Sequence, residues 1–288
     1  MSYQSVFRPN FFRDQVFIVT GGGSGIGRCT AHELAALGAR VALIGRKAEK
    51  VETVRAEITE DGGIASAHVC DIREEESVKA TVTAIIEEHG GLNGVVNNAG
   101  GQFPSPLANI NQKGWETVVR TNLTGGFLIA REAYNQVLSK TGGAIVNIVA
   151  DMWGGMPGMG HSGAARAGMV NFTQTAAVEW GCSGVRVNAV APGWIASSGM
   201  DNYPEHMKQW IRSLGDNVPL KRMGTESEVS AAICFLLSPA AAFISGDCLR
   251  IDGAASQGGR VWPFPKAKNN EPFNGFHRAV TPKVLSDD

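Results

Sequence analysis

The segment HSGAARAG, residues 161–168, holds a serine hydroxyl and a guanidinium four positions apart, at Ser162 and Arg166. A serine hydroxyl does not ionise usefully without a strong base. The nearest histidine is His161, but adjacent side chains usually point apart, so we expect no serine–histidine base pair here. The two groups are better suited to donating a hydrogen bond to an oxygen that gains negative charge and to placing a permanent cation nearby.

A second candidate for chemistry is the glycine-rich segment TGGGSGIG, Thr20–Gly27, which follows an apolar run and opens a helical pattern. At such a turn, bare backbone N–H groups can approach a pyrophosphate at the helix N-terminus. Gly21, Gly25 and Gly27 permit that approach, and Ser24 can donate a hydroxyl hydrogen. An ordinary glycine-rich turn is the alternative, but the position between a strand and a helix favours a nucleotide-binding loop.

The residues after the second apolar run bear on which dinucleotide would bind. NAD enzymes place an acid at the end of the second strand, roughly 20 residues beyond the glycines, where it holds the ribose 2′-hydroxyl. Here the sequence reads VALIGRK, residues 41–47, and has no acid before Glu49. Arg46 and Lys47 would attract a 2′-phosphate, so we predict NADP(H). The alternative is that both cations only begin the next helix, although cations there oppose its dipole.

These segments must be positioned by an alternation of short apolar runs and longer helical patterns that extends along the chain. Several runs are almost continuously apolar, as parallel strands covered on both faces are. Strand–helix alternation implies right-handed crossovers and a single sheet. We therefore predict an α/β fold, with one Rossmann-type doubly wound parallel sheet of about seven strands and helices on both faces. The predicted strands are Val16–Thr20, Arg40–Ile44, Ala65–Val69, Gly94–Asn97, Ala144–Val149, Val185–Val190 and Cys248–Ile251.

The composition of the 288-residue chain limits the classes of function. A net charge of −1 gives no reason to expect binding to nucleic acid or to an anionic membrane, and 43% hydrophobic residues are typical of a globular protein. The five cysteines and six histidines lack the paired spacing of a disulfide framework or a metal site. No apolar segment has the length of a signal-peptide core or a bilayer span. We expect a cytoplasmic protein without a bound metal.

No internal repeat or linker divides the chain before its last part. We assign residues 1–253 to a dinucleotide-binding catalytic domain and residues 254–288 to an extended C-terminal tail rich in glycine and proline. The aromatic residues of the tail suggest that it packs either on its own domain or on a neighbouring subunit. They are Trp262, Phe264, Phe273 and Phe276.

Several motifs occur in an order that resembles the short-chain dehydrogenase/reductase family, from about Gln15 to Gly253. The glycine loop has the spacing GxxxGxG, NNAG occupies residues 97–100, and RTNLTG contains Asn122. VNAVAPGWIASS and a final LRIDG complete the set. The resemblance implies a nicotinamide-dependent oxidoreductase that acts on a small molecule and assembles as a homo-oligomer, a tetramer in most of the family.

The resemblance also implies where each part of the cofactor would lie. The pyrophosphate would meet the glycine loop, including Ile26, and the nicotinamide ribose would meet Arg166. The other contacts would be Asp71 and Ile72 for the adenine, Asn98, Ala99 and Gly100 for its ribose, and Pro192, Gly193, Ile195 and Ser197 for the nicotinamide amide.

In most members of this family a serine, a tyrosine and a lysine carry out the chemistry, supported by an asparagine that Asn122 matches. Here Ala150 replaces the serine, Ser162 the tyrosine and Arg166 the lysine. The segment, together with GGQF at residues 100–103, resembles the peroxisomal trans-2-enoyl-CoA reductase branch and, more distantly, the 2,4-dienoyl-CoA reductases. That resemblance implies reduction of the carbon–carbon double bond of an enoyl-CoA thioester, with Ser162 donating to the enolate oxygen.

We expect the substrate pocket to contain Gln102, Trp153, Trp194 and Tyr203 and to accept an acyl or isoprenoid chain. Tyr203 lies in a predicted lid, SGMDNYPEHMKQW, and is the one candidate to replace the missing tyrosine acid. Two alternatives remain open at this point. One is an alcohol or aldehyde dehydrogenase for long branched or terpenoid substrates, and the other is a catalytically silent NADP-binding protein.

Overall fold

Seven parallel strands form the central sheet, as the sequence predicts. The computed structural model describes residues 2–257, 266 and 269–286. The strands are β1 (Val16–Thr20), β2 (Arg40–Gly45), β3 (Ile64–Val69), β4 (Gly94–Asn97), β5 (Gly143–Ile148), β6 (Val185–Pro192) and β9 (Cys248–Ile251). Their order in the sheet is β3-β2-β1-β4-β5-β6-β9.

Helices cover both faces of this sheet. They are α1 (Gly25–Ala36), α2 (Ala48–Glu60), α3 (Glu75–His89), α4 (Gln112–Val119), α5 (Gly125–Ala133), α6 (Ser139–Thr141), α7 (Gly160–Trp180), α8 (Lys208–Arg212) and α9 (Glu226–Leu237). Phe17 and Val19 of β1 belong to the hydrophobic cluster packed by α1, α2 and α9, whereas Val16 and Ile18 belong to the cluster packed by α3, α5 and α7. Alternate side chains of one strand therefore face opposite layers.

The doubly wound fold predicted from the sequence is confirmed, with small differences at the strand ends. β6 continues to Pro192, two residues beyond the prediction, and β5 begins and ends one residue earlier. A separate two-stranded sheet, β7 (Ile195–Ala196) with β8 (Gly224–Thr225), was not predicted. Two residues are too few to display the alternation by which a strand is recognised.

The described part of the C-terminal tail packs on its own chain. Phe276 is buried in a cluster with Tyr3 and Cys29, and its ring lies 5.0 Å from that of His32. Further along, Val284 packs into a cluster of the segment that follows β7. Trp262 and Phe264 lie outside the described residues. No helix in the described part of the chain is both long and apolar enough to cross a membrane.

Candidate active site

Two neighbouring cavities open where the parallel strands end, beside the point where the strand order reverses between β1 and β4. Open α/β sheets bind their ligands at this position. The first cavity, of about 200 Å³, contains eight residues that the sequence assigned to the cofactor. They are Gly21, Ser24, Arg46, Asp71, Ile72, Asn98, Ala99 and Gly100.

The glycine loop holds the start of α1 close to the end of β4. A Cβ atom on Gly27 would lie 2.4 Å from Nδ2 of Asn98, and Gly21 has a φ of +66°, which favours glycine. Asn98 Nδ2 donates to the carbonyl oxygen of Thr20 at 2.9 Å, which ties the loop to β4. Ser24, the N-cap of α1, makes no side-chain cap hydrogen bond, and the first turn carries no acid. The helix N-terminus therefore fits an anionic pyrophosphate.

The far end of the first cavity carries an acid flanked by two arginines. The carboxylate of Asp71 accepts hydrogen bonds from Nε of Arg73 at 2.8 Å and from its backbone nitrogen at 3.1 Å. These bonds, together with the charges of Arg73 and of the exposed Arg46, lower the pKa of Asp71 to about 2. Lys47 is exposed at the N-cap of α2 and does not line the cavity. Sequence reasoning missed Arg73, although it directly follows the predicted adenine contacts in the segment DIR.

The second cavity, of about 320 Å³, brings together the expected nicotinamide and substrate ends of the site. Met200, Trp210, Ile211 and Leu214 add an apolar wall that the sequence did not identify. The ring centroids of Trp194 and Trp210 lie 5.3 Å apart at nearly a right angle. The predicted residues that line this cavity are Ile26, Asn98, Gly100, Gln102, Arg166, Pro192, Gly193, Trp194, Ile195, Ser197 and Tyr203.

Trp153 does not join the substrate pocket. Its ring is 40% exposed and lies under the guanidinium of Arg250, 3.9 Å from the Arg250 Cζ atom. Trp153 is not among the residues that line the second cavity, and its ring makes a cation–π contact with Arg250 instead. The expectation that Trp153 contacts substrate was based on its position beside the nicotinamide segments alone.

Asn122 fixes the backbone of the segment that enters the second cavity. It is buried in a π-helical turn, Arg120–Thr124, between α4 and α5. Its Oδ1 accepts from the backbone nitrogen of Gly101 at 2.8 Å, and its Nδ2 donates to the Gly101 carbonyl at 2.9 Å. Single π turns inside helices occur frequently at functional sites. Asn122 therefore fixes the backbone of Gly101 and with it the position of Gln102, the residue that follows Gly101.

Arg166 extends from α7 into the wall of the second cavity. Its Nη1 donates to the carbonyl of Ile148 at 2.5 Å, and a Cβ atom on Gly100 would lie 2.6 Å from Nη2. Burial lowers the pKa of Arg166 to about 10, so the side chain remains cationic at neutral pH. Its Nε is buried without a hydrogen-bond partner among the described residues. An unpaired donor at this position fits a ribose hydroxyl of a bound nicotinamide dinucleotide.

Ser162 lies behind the cavity wall rather than on it. It is 0% exposed, and its hydroxyl donates to Oε1 of Gln102 at 2.7 Å. Nε2 of Gln102 in turn donates to the Tyr203 hydroxyl at 3.3 Å. Nδ1 of His161 accepts from the backbone nitrogen of Ser162, so it is not paired with the serine hydroxyl. The groups presented to the cavity are therefore the amide of Gln102 and the phenol of Tyr203.

One group of potential metal ligands comes together outside both cavities. His68, Glu88 and His89 place their ligand atoms within 4.8 Å of one another, although their spacing in the sequence did not predict it. The hydroxyl of Ser66 lies 2.7 Å from Nε2 of His68 and 2.8 Å from Nε2 of His89. Hydrogen bonds to this hydroxyl account for the arrangement of the two rings at the edge strand β3.

A family model described as enoyl-(acyl carrier protein) reductase matches residues 21–256, a range that contains the residues lining both cavities. The chain belongs to the short-chain dehydrogenase/reductase family. The resemblance drawn from the glycine loop, NNAG and the later motifs is thereby confirmed. As a member of this family the protein is an oxidoreductase that uses NAD(P)(H) and acts on a small molecule.

Relatives with different functions are similar to this chain in sequence or in structure. The probable 2,4-dienoyl-CoA reductase of Bacillus subtilis is 37% identical over 240 residues, which are 82% of this chain and 94% of the relative. The peroxisomal 2,4-dienoyl-CoA reductase of Danio rerio is 34% identical over 257 residues, 88% of this chain and 85% of the relative. Among solved structures, the citronellol catabolism dehydrogenase of Pseudomonas aeruginosa PAO1 is 67% identical. Its TM-score is 0.80, and the match covers 88% of this chain and 100% of that chain.

Proposed function

We propose that this short-chain dehydrogenase/reductase uses NADPH to reduce the carbon–carbon double bond of an enoyl-CoA thioester. The observation that carries the proposal is the burial of the Ser162 hydroxyl, because Ser162 occupies the usual tyrosine position on α7. Its hydroxyl is buried and donates to Gln102, so it is not an acid at the substrate oxygen. The cation beside it is an arginine, and no hydrogen bond in the described part of the chain joins Arg166 to a tyrosine.

Double-bond reduction makes demands that this site can meet. The bound cofactor would supply a hydride to the β-carbon, and negative charge would then develop on the thioester oxygen as an enolate. Donors aimed at that oxygen stabilise the charge without themselves having to ionise. The amide of Gln102 and the phenol of Tyr203 line the cavity as such donors, and Arg166 adds positive potential.

Two relatives support this assignment, since one is a probable 2,4-dienoyl-CoA reductase and the other a peroxisomal 2,4-dienoyl-CoA reductase. The residues that line the second cavity indicate which kind of acyl chain would fit. Trp194, Trp210, Met200 and Leu214 form a largely apolar wall that suits a hydrocarbon chain. Because the 67% identical structure is a citronellol catabolism dehydrogenase, a branched isoprenoid chain is our preferred acyl group.

The same neighbour favours a second candidate, an alcohol or aldehyde dehydrogenase for terpenoid substrates. In that case the substrate oxygen would exchange a full proton with the protein, and Tyr203 is the cavity residue that could exchange it. A catalytically silent NADP-binding protein is the third possibility that the sequence left open. It would have no need of the donors that line the second cavity.

The assay that separates these functions is steady-state oxidation of NADPH with a panel of substrates, together with reduction of NADP⁺ by terpenoid alcohols. We expect turnover of enoyl-CoA thioesters, with branched isoprenoid chains among the best, and slow turnover of simple ketones. Efficient conversion of terpenoid alcohols or aldehydes with no activity on any enoyl thioester would replace the first candidate by the second. Cofactor binding without hydride transfer to any substrate would leave the silent protein.

The preference for NADP(H) is part of the proposal and has its own test. Arg46 lines the first cavity, and no acid stands at the end of β2 to hold a ribose 2′-hydroxyl. Losing a charged hydrogen bond to the 2′-phosphate should cost about 1.5–3 kcal/mol, so Arg46→Ala should weaken NADPH binding by about 10–100-fold and NADH binding little. Lys47→Ala is the matched control, because Lys47 lies next to Arg46 but outside the cavity. Equal affinities of the unmodified protein for NADPH and NADH would contradict the preference.

A further inference from the structure

Three side chains from distant parts of the sequence form one line of hydrogen bonds that ends in the second cavity. Ser162 Oγ lies 2.7 Å from Gln102 Oε1, and Gln102 Nε2 lies 3.3 Å from the Tyr203 hydroxyl. Ser162 is fully buried on α7, whereas Gln102 and Tyr203 line the cavity. The line therefore runs from the interior of the protein towards the position of the substrate.

The direction of donation along this line is determined at its buried end. The hydroxyl of Ser162 is 0% exposed, and its one side-chain hydrogen bond in the described part of the chain is to Gln102. If the amide were reversed, the hydroxyl hydrogen would lose its acceptor, and an unsatisfied buried donor costs about 1–3 kcal/mol. Ser162 therefore donates to Oε1 of Gln102, which turns Nε2 towards Tyr203.

Because Gln102 Nε2 can only donate, the Tyr203 oxygen accepts from it. The phenol hydrogen is then left available for another acceptor, and the nearest open space is the cavity that Tyr203 lines. The backbone nitrogen of Tyr203 donates to the carbonyl of Met200 at 3.3 Å, and the ring packs on a cluster that includes Ile211 and Leu214. These contacts hold the phenol at the cavity wall.

We infer that Tyr203 is the hydrogen-bond donor to the substrate oxygen and that Gln102 and Ser162 are positioning residues that keep its phenol in the donating orientation. This inference rests on the proposed function, because it assigns the oxygen that the phenol serves. The usual tyrosine of the family lies on the helix that here carries Ser162. In this chain the phenol comes instead from the segment that follows β7.

The proposed step is balanced with the groups already named. The bound nicotinamide would supply a hydride to the β-carbon, and the electron pair of the double bond would move towards the thioester oxygen. The O–H bond of Tyr203 stays intact and donates a hydrogen bond to the enolate oxygen, while the phenol oxygen accepts one from Gln102 Nε2. The α-carbon of the enolate then takes a proton from water, which gives the saturated thioester.

The test measures single-turnover hydride transfer, kcat, KM and the Kd of the cofactor for Tyr203→Phe, Gln102→Ala and Ser162→Ala. Tyr203→Phe should lower the rate of hydride transfer by about 10²–10³-fold, as removal of an oxyanion donor does, while the cofactor Kd stays the same. The control is Tyr134→Phe, since Tyr134 bonds to Ser183 away from both cavities and should leave every constant unchanged.

A double-mutant cycle tests the positioning role of Ser162, because residues that act through one another are not additive. Ser162→Ala should lower kcat about tenfold with little change in KM, and it should have no further effect once Gln102 is already alanine. A merely structural role of Ser162 would raise KM and the cofactor Kd together. If Ser162→Ala kept its full effect in the Gln102→Ala background, the serine would act on the substrate directly and the inference would be wrong.

The measurements use whichever substrate class the unmodified protein converts, so the two proposals fail separately. Absence of activity on enoyl thioesters, with activity on terpenoid alcohols, would refute the proposed substrate but leave the ratio of variant to unmodified rate as the test of Tyr203. A Tyr203→Phe variant as fast as the unmodified protein on its own substrate would refute the inference, whatever that substrate is.

Discussion

At the scale of single residues, replacement of lysine by Arg166 changes what the site can do. A lysine ammonium is compact, whereas a guanidinium is planar and offers several donors in fixed directions. Nη1 of Arg166 is committed to the Ile148 carbonyl, and its buried Nε has no partner among the described residues. One side chain is thus positioned both to bind a ribose hydroxyl and to hold positive charge beside the reacting atoms.

Arg166→Ala should therefore weaken cofactor binding and turnover together, each by about tenfold or more, because a charged hydrogen bond is worth about 1.5–3 kcal/mol. Arg166→Lys should retain part of both properties. Cofactor titration and steady-state rates measure the two effects, with Arg55→Ala as a control, since Arg55 pairs with Glu52 on the exposed side of α2. Unchanged affinity and rate in Arg166→Ala would make this part of α7 purely structural.

Residues whose role follows from a local sequence motif could be identified from the sequence. The glycine loop and the segment around Pro192 lie at the cavities because a strand–turn–helix pattern already determines their geometry. The partner of Ser162 could not be inferred, since Gln102 is 60 positions away and meets it only through the fold. Trp153 is the opposite case. It is close to the site segments in the sequence, but its ring does not line the pocket.

At the scale of elements, the start of α9 approaches the glycine loop at the start of α1. A Cβ atom on Gly25 would lie 3.8 Å from Oε1 of Glu226, the first residue of α9. Burial raises the pKa of Glu226 from 4.5 to about 7. Glu226 lies beside the expected pyrophosphate and is therefore close to half-ionised at neutral pH. The sequence did not indicate this, because the pKa shift comes from burial and not from a local motif.

The pH dependence of stability follows from the direction of this shift. Between pH 4.5 and about 7 the folded chain retains the Glu226 proton that the unfolded chain loses, so stability falls as the pH rises through this window. In Glu226→Gln, the decrease in the free energy of unfolding between pH 5 and pH 8 should be smaller by about 1–3 kcal/mol. It should also strengthen cofactor binding at pH 8, where the carboxylate would repel the pyrophosphate.

Urea unfolding at pH 5 and pH 8, with cofactor titrations at the same values, measures both effects. Glu76→Gln is the matched control, because Glu76 also lies in the first turn of a helix, α3, but is exposed. If Glu226→Gln followed the same stability profile as the unmodified protein, Glu226 would be ionised in the folded state throughout this range.

At the scale of the whole molecule, the two ends of the chain contact each other and the end of α2. The backbone nitrogen of Gln4 donates to the Gly275 carbonyl at 2.9 Å, and Arg278 pairs with Asp61 at the end of α2. The aromatic residues of the tail indicated that it packs on another part of the protein. Its long-range hydrogen-bond partners lie from 45 to more than 200 positions away, so no local pattern could identify them. We propose that the described part of the tail, residues 254–257, 266 and 269–286, acts as a strap on the preceding domain.

The end of this strap supports the segment that carries Tyr203. Val284 is 1% exposed and packs with Met200, Ile211 and Leu214, all of which line the second cavity. Its backbone nitrogen donates to Oδ1 of Asp201 at 3.0 Å, and its carbonyl accepts from Nε of Arg212 at 2.7 Å. The tail thus contacts the apolar wall of the substrate cavity from behind.

Val284→Ala should loosen that wall, because deleting buried methyl groups costs the transfer free energy of those groups and leaves a small void. We expect KM for the substrate to rise several-fold while the Kd of the cofactor is unchanged, since among the described residues no member of this cluster comes from the glycine loop or lines the first cavity. Val6→Ala, the same substitution at a residue that is 65% exposed, is the control. A rise in the cofactor Kd equal to the rise in KM would mean that the tail stabilises the domain as a whole rather than the wall that holds Tyr203.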